Sequence, residues 1–305
     1  MRALVWLATL AGDATTTKRS VAAARAHNLA NAKAVAGPPR AMAAVEGLEI
    51  PGPGGPIPTR LYTPPNLPAE APLIVYFHGG GWTIGSLETS DGPCRFLAGT
   101  VGARVLSVDY RLAPEHPFPA GVEDAFAAFH WATERAPELG CDPARIAVAG
   151  DSAGGNLAAA TSLLAAAGGG RQPAMQLLIY PVTDTVGGQR SREVFAEGFL
   201  LTKADMDWFE AHYIREDADR RDPRISMLRA ADLSGLPPTY IATAGFDPLR
   251  DEAELFAERA RAAGVTVALR RHTGLIHGFA NMTAISRTAR AAMHEVAGAL
   301  RMGLA

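Results

Sequence analysis

The chain predicts an α/β fold, a mostly parallel central sheet with helices on both faces. Two observations carry this expectation. From residue 72 onward, short apolar runs alternate with amphipathic, helix-length stretches, the rhythm of buried strands joined by crossover helices. The chain also has 305 residues with 48% apolar content. A chain of that length buries about three-quarters of its unfolded surface and needs no disulfide or metal staple.

Taken in order, residues 1–45 are rich in Ala and Arg, with Leu4, Leu7, Val21 and Leu29 as scattered apolar positions, and they predict one or two helices. The apolar start, Met1 to Leu10, is followed by no small-x-small cleavage site, so it reads as a mature helix rather than a secretory signal. Gly37-Pro38-Pro39 ends that region. Leu48–Ile50 and Ile57–Tyr62, joined by a Gly/Pro turn, predict an antiparallel pair. The buried strands are Leu73–Phe77, Val105–Val108, Ile146–Ala149, Gln176–Tyr180, Tyr240–Thr243 and Val265–Leu269. The stretches Cys94–Thr100, Gly121–Ala136, Asn156–Ala167, Asp251–Ala263 and Ala284–Met302 are the helices among them. About sixty residues separate Tyr180 from Tyr240 and include the aromatic-rich helical piece Thr202–Ile214. A connection that long is usually functional. It is expected to form a cap over the site, an insertion of about 185–230 completed by the N-terminal helices (1–45) above a catalytic domain of 46–305.

Gly150-Asp151-Ser152-Ala153-Gly154 matches G-x-S-x-G between a predicted strand and a predicted helix. In that context the serine sits on a sharp, strained turn with its hydroxyl lifted from the sheet at a helix N-terminus. A Cβ at either glycine would crowd the turn. His78-Gly79-Gly80-Gly81-Trp82 follows the strand Leu73–Phe77. Successive glycines let a ligand approach the peptide groups, and an acyl-transfer intermediate needs such donors for its oxyanion. The amides of Gly80, Gly81 and Ala153 are assigned to that oxyanion hole, with His78 and Gly79 supporting the loop. A phosphate cradle would need G-K-[ST] after the glycines, which Trp82-Thr83 does not supply.

A neutral serine needs a base, and the base needs an orienting acid, following in the order Ser, Asp or Glu, His. His277, in a Gly-flanked loop after the last strand, is the favoured base, with His272 as the alternative; His294 falls in the final helix. Asp247, at the carboxyl end of Tyr240–Thr243, is the favoured acid, with Asp184 as its competitor.

With these residues in place, the chain resembles the hormone-sensitive-lipase-like family of bacterial esterases and lipases, often called family IV. HGGGW at 78–82, DYRLAPEHPFPA at 109–120, GDSAGG at 150–155, DPLRDE at 247–252 and HGF at 277–279 stand in the family order. GDSAG, rather than GTSAG, points to the larger subgroup. The resemblance implies an α/β-hydrolase fold with a helical cap, hydrolysis of short- to medium-chain carboxylic esters through Ser152, His277 and Asp247, and no cofactor. It also implies that Arg111 and the prolines of 109–120 brace the wall beside the oxyanion loop. An amidase or arylacetamide-deacetylase-like activity would use the same triad. A non-catalytic ligand-binding protein of this fold would have lost the base, whereas His277 is present. Trp82, Phe199, Leu200, Trp208 and Phe209 are the candidate substrate-binding side chains.

The remaining composition is exclusive rather than informative. A net charge of −2 without a long run of one sign argues against nucleic acid. Two isolated cysteines, Cys94 and Cys141, make neither a disulfide framework nor a metal site. No apolar run reaches the ~18 residues of a membrane span. The expected partner is a small ester substrate, the default compartment is the cytoplasm, and a homodimer stays open.

Overall fold

The computed structural model describes residues 16–305, so the helix expected over Met1–Leu10 lies outside the described residues. Eight strands form one sheet in the order β1-β2-β4-β3-β5-β6-β7-β8. They are β1 (Ala44–Ile50), β2 (Ile57–Thr63), β3 (Ala71–Phe77), β4 (Arg104–Val108), β5 (Cys141–Asp151), β6 (Met175–Ile179), β7 (Thr239–Phe246) and β8 (Val267–Ile276). β2 runs antiparallel to β1 and β4, and every other neighbouring pair is parallel. The helices are α1 (Val21–Ala36), α2 (Asp91–Leu97), α3 (Ala120–Arg135), α4 (Ala153–Ala167), α5 (Arg190–Val194), α6 (Lys203–Tyr213), α7 (Arg250–Ala262) and α8 (Arg287–Gly303). Among the described residues no helix is long and apolar enough to cross a membrane.

Strand periodicity explains the two-sided core. Leu73, Val75 and Phe77 of β3 and Ile146 and Val148 of β5 face one apolar cluster, shared with α3, α4 and α7. The intervening Ile74, Tyr76, Ala147 and Ala149 face a second, shared with α2 and α8. Successive side chains point to opposite faces, so a strand buried on both faces must be apolar throughout. Each fully buried Leu, Val or Phe contributes about 1.5–3 kcal/mol.

Several boundaries depart from expectation. β5 begins at Cys141, because Ala71 and Cys141 pair beyond an irregularity in the β3–β5 register. α2 starts at Asp91, ahead of the expected Cys94, and passes into a π-helical turn over Ala98–Gly102. α4 starts at Ala153, directly behind Ser152, not at Asn156. β8 continues to Ile276, well past Leu269. It is the sheet's edge, so Arg270, Arg271 and His272 are tolerated there, and they hide the strand from an apolar-run search.

The segment between β6 and β7 folds as α5, α6 and two 3₁₀ turns, Asp217–Arg221 and Met227–Arg229. α6 opens with a capping box, Thr202 accepting from the Asp205 amide while Asp205 accepts from the Thr202 amide. Asp205 Oδ1 also accepts from the Thr16 amide at 2.8 Å, tying this segment to the N-terminal region.

Candidate active site

The carboxyl ends of β3, β5, β7 and β8 bring the site together. At the end of β5, Ser152 takes φ 56° and ψ −120°, a conformation L-residues rarely adopt. The flanking glycines make the turn possible. A Cβ on Gly150 would lie 2.2 Å from the Gly154 carbonyl oxygen, and one on Gly154 would lie 1.9 Å from that of Phe77.

His277 leaves the end of β8. Its Nδ1 lies 2.8 Å from Asp247 Oδ2 and its Nε2 lies 2.9 Å from Ser152 Oγ. A carboxylate oxygen accepts, so Nδ1 carries the proton and Nε2 is free to take the seryl proton. Asp247 is fully buried after β7, and its other oxygen accepts from the Leu249 amide at 2.9 Å. Side-chain exposure is 11% for the imidazole, enough to reach a bound substrate while most solvent is excluded.

The competing residues are placed elsewhere. His272 is within β8, paired with Ala244, its ring against Phe279 and burial lowering its pKa. Asp184 is clamped by Arg229 at 2.7 Å and by Gln189 at 2.9 Å. Although burial works the other way, these partners hold its carboxyl below the usual range.

The glycine loop crosses in front of Ser152. Gly80 and Gly81 both have positive φ (119° and 56°). The Gly80 carbonyl accepts from the Thr83 and Ile84 amides at 3.1 and 2.9 Å, curling the loop. Among the described residues the Gly80 and Gly81 amides donate to no other group of the chain. Ala153 opens α4, where a helix leaves its first amides unpaired. By contrast the Gly79 amide is engaged, donating to Asp151 Oδ1 at 3.0 Å. His78 is buried, its ring stacked 4.4 Å from Tyr110 and its Nδ1 2.8 Å from the Gly79 carbonyl; burial lowers its pKa. A buried neutral ring bonded to its own loop is an anchor rather than a base. Tyr110 Oη donates to the His78 carbonyl at 2.7 Å, and the Ala113 amide to the Trp82 carbonyl at 2.8 Å, so the 109–120 stretch contacts the loop through Tyr110 and Ala113 rather than through the expected Arg111 and prolines. Arg111 grips Asp124 of α3 through Nε and Nη2.

The candidate pocket residues separate. Phe209 of α6 faces the loop so closely that a Cβ on Gly81 would lie 2.2 Å from its ring. Phe209 packs with Ile84 and with Ala24 of α1, and Trp208 lies against its edge. Leu200 is exposed, and its Cδ2 would stand 3.6 Å from a Cβ on Gly278, beside His277. Phe199 stacks on Phe246, the neighbour of Asp247, with ring centroids 5.3 Å apart. Trp82 corrects the expectation: it is 2% exposed and stacked on Tyr213 at 4.4 Å. It joins the loop to α6 inside the core and offers no surface to a substrate.

Sequence reasoning passed over three sets of residues. Arg25 of α1 donates to the Thr83 and Ala113 carbonyls, each at 2.9 Å, and to Glu115. Arg192 of α5 bridges Glu252 and Glu210 and donates to the Asp184 carbonyl. Asp151 collects Tyr76, Gly79 and Tyr180. In sequence only its place between Gly150 and Ser152 of the motif signals Asp151. Among the described residues no group of three or more His, Cys, Asp or Glu could hold a metal ion.

An eight-stranded, mostly parallel sheet with a strained Ser turn behind β5, an acid behind β7 and a histidine behind β8 is the α/β-hydrolase architecture. Within it, the chain belongs to the hormone-sensitive-lipase-like esterase family. A family profile described as α/β hydrolase fold matches residues 74–281. The chain is similar to the carboxylic ester hydrolase LipN of Mycobacterium tuberculosis, 49% identical over 290 residues that cover 93% of this chain and 77% of that protein. Among solved structures, a thermostable esterase from Pseudomonas putida superposes with a TM-score of 0.96 at 35% identity, covering 100% of this chain and 96% of that one. A hyperthermophilic esterase from Pyrobaculum calidifontis gives 0.91 at 42% identity, covering 94% and 95%.

Proposed function

We propose that the protein hydrolyses short- to medium-chain carboxylic esters through an acyl-enzyme on Ser152. The single observation that carries this reading is the hydrogen-bonded series Asp247–His277–Ser152, with contacts of 2.8 and 2.9 Å. Ser152 Oγ attacks the ester carbonyl as Nε2 of His277 takes its proton. The tetrahedral oxyanion rests on the Gly80, Gly81 and Ala153 amides. The imidazolium then protonates the departing alkoxide. A water deprotonated by the same nitrogen attacks the acyl-enzyme, and Ser152 recovers its proton as the acid leaves. Asp247 keeps Nδ1–H oriented and stabilises the imidazolium.

In this reading α1 and the 185–230 insertion form the cap. Phe209, fixed over Gly81, closes the pocket near the oxyanion, and Leu200 and Phe199 line the rim beside the His277 turn. A wall of that kind favours small acyl groups. Ser152→Ala should lower p-nitrophenyl butyrate turnover by several orders of magnitude, and wild-type rates should fall steeply beyond about eight acyl carbons. A folded Ser152→Ala variant with near-native turnover would refute the nucleophile. A matched ester and anilide pair separates esterase from amidase action.

A further inference from the structure

The residue between Gly150 and Ser152 has an environment that ester hydrolysis by the triad does not explain. Asp151 is 6% exposed at the end of β5. Its Oδ1 accepts from Tyr76 Oη of β3 at 2.7 Å and from the Gly79 amide at 3.0 Å. Its Oδ2 lies 3.5 Å from Tyr180 Oη. Tyr180 is itself unusual: it is 1% exposed, has φ 37°, and follows β6 directly. Its Oη accepts from the Ala280 amide at 3.3 Å, and its ring centroid lies 4.6 Å from that of His277. One carboxylate thus reaches the glycine loop on one side and, through Tyr180, the turn that carries the base on the other.

We propose that Asp151 is the positioning residue that holds the oxyanion loop and the His277 turn in register about the Ser152 hydroxyl. The inference rests on the ester-hydrolase reading above. Engaging the Gly79 amide fixes the peptide plane ahead of Gly80 and Gly81, whose own amides are left for the oxyanion. A Cβ on Gly79 would lie 2.5 Å from Asp151 Oδ2, so the loop is drawn tight onto the carboxylate. Tyr180 supports the imidazole through ring contact and the turn that follows it through the Ala280 amide. The arrangement carries a cost in stability. Burial pushes the Asp151 carboxyl above its usual range, while the bonds from Tyr76 and Gly79 pull it back. A carboxyl raised on folding supports the fold below its unfolded pKa and loses that support as pH rises through the folded value. Wherever it is ionised in the fold, the buried carboxylate therefore serves geometry at the expense of stability.

This sets apart positioning from a merely structural role. Asp151→Asn keeps the shape and one acceptor oxygen but removes the charge. It should fold, keep or raise the wild-type Tm at neutral pH, and lose about tenfold in kcat as the bond to Gly79 weakens. Asp151→Ala leaves Gly79 without its acceptor and should lose ~10²–10³ in kcat, with KM within about threefold, as when an oxyanion donor is lost. Affinity for a trifluoromethyl ketone, which forms the tetrahedral adduct, should fall in step with kcat/KM. Tyr180→Phe combined with Asp151→Asn should lose less than the product of the single losses.

The inference is overturned if Asp151→Ala turns over within about threefold of wild type. It is also overturned if the activity lost in Asp151→Asn tracks a lower Tm while ketone affinity is unchanged. Paraoxon labelling of the wild type distinguishes the two levels. A wild-type chain that fails to label overturns the ester-hydrolase reading itself, whereas a labelled wild type with a fully active Asp151→Ala overturns the positioning role alone.

Discussion

Gly154→Ala tests how the elbow and the oxyanion loop are coupled. The added Cβ would stand 1.9 Å from the Phe77 carbonyl oxygen and 2.6 Å from that of His78. Both obstacles are backbone, so neither can rotate away, and a normal carbon–oxygen contact requires a displacement of about 1 Å. In α4, Ala would gain about 1 kcal/mol of helix propensity over Gly. Overpacking against a fixed backbone this close costs about 3 kcal/mol or more, so the net effect is a loss of about 2 kcal/mol or more. The consequence for rate is larger. Phe77 and His78 lead directly into Gly79–Gly81, and a shift of about 1 Å at a reacting centre costs on the order of 10²-fold. Urea unfolding gives the stability change, and p-nitrophenyl butyrate kinetics gives kcat/KM. Gly170→Ala is the control, because nothing lies within 4 Å of its added Cβ. A Gly154→Ala variant with native stability and a rate within about threefold of wild type would show that the crowding at the elbow relaxes without cost.

The other predictions address the acid, the cap and the pH response. Asp247→Asn should lower kcat by ~10³–10⁴ with little change in KM, because the Nδ1 proton loses its fixed acceptor; a loss below tenfold would mean that another group orients His277. Arg25→Ala removes the contacts from α1 to Thr83, Ala113 and Glu115. It should destabilise the chain by about 1–3 kcal/mol, and limited proteolysis at 37–40 should accelerate; an unchanged cleavage rate would refute the pinning role. Burial pushes Glu252 up to about 7 despite Arg192. Its contribution to stability should therefore be present below about pH 4.5 and decline as pH rises toward 7, whereas Glu252→Gln should flatten that part of the stability–pH curve. Parallel curves for the two proteins would refute the shift.

Local chemistry determined much of this protein. Alternating buried faces require apolar strands, the tight turn at Ser152 requires glycines at 150 and 154, and the crowded loop in front of it requires the run at 79–81. Each is a constraint between neighbours along the chain, so each leaves a readable pattern. The choice of partner among chemically equivalent residues was decided in three dimensions. His272 lies within the edge strand and His277 one residue past its end, and only the latter turns toward Ser152. Asp184 and Asp247 both follow strands, but Arg229 and Gln189 occupy the first. Trp82, inside a motif, is directed into the core by Tyr213. The links from Asp151 to Tyr76, Tyr180 and Gly79, and from Arg192 to Glu252, join residues far apart in the chain. Their geometry follows from how strands and helices are placed against one another, which no short stretch of sequence specifies.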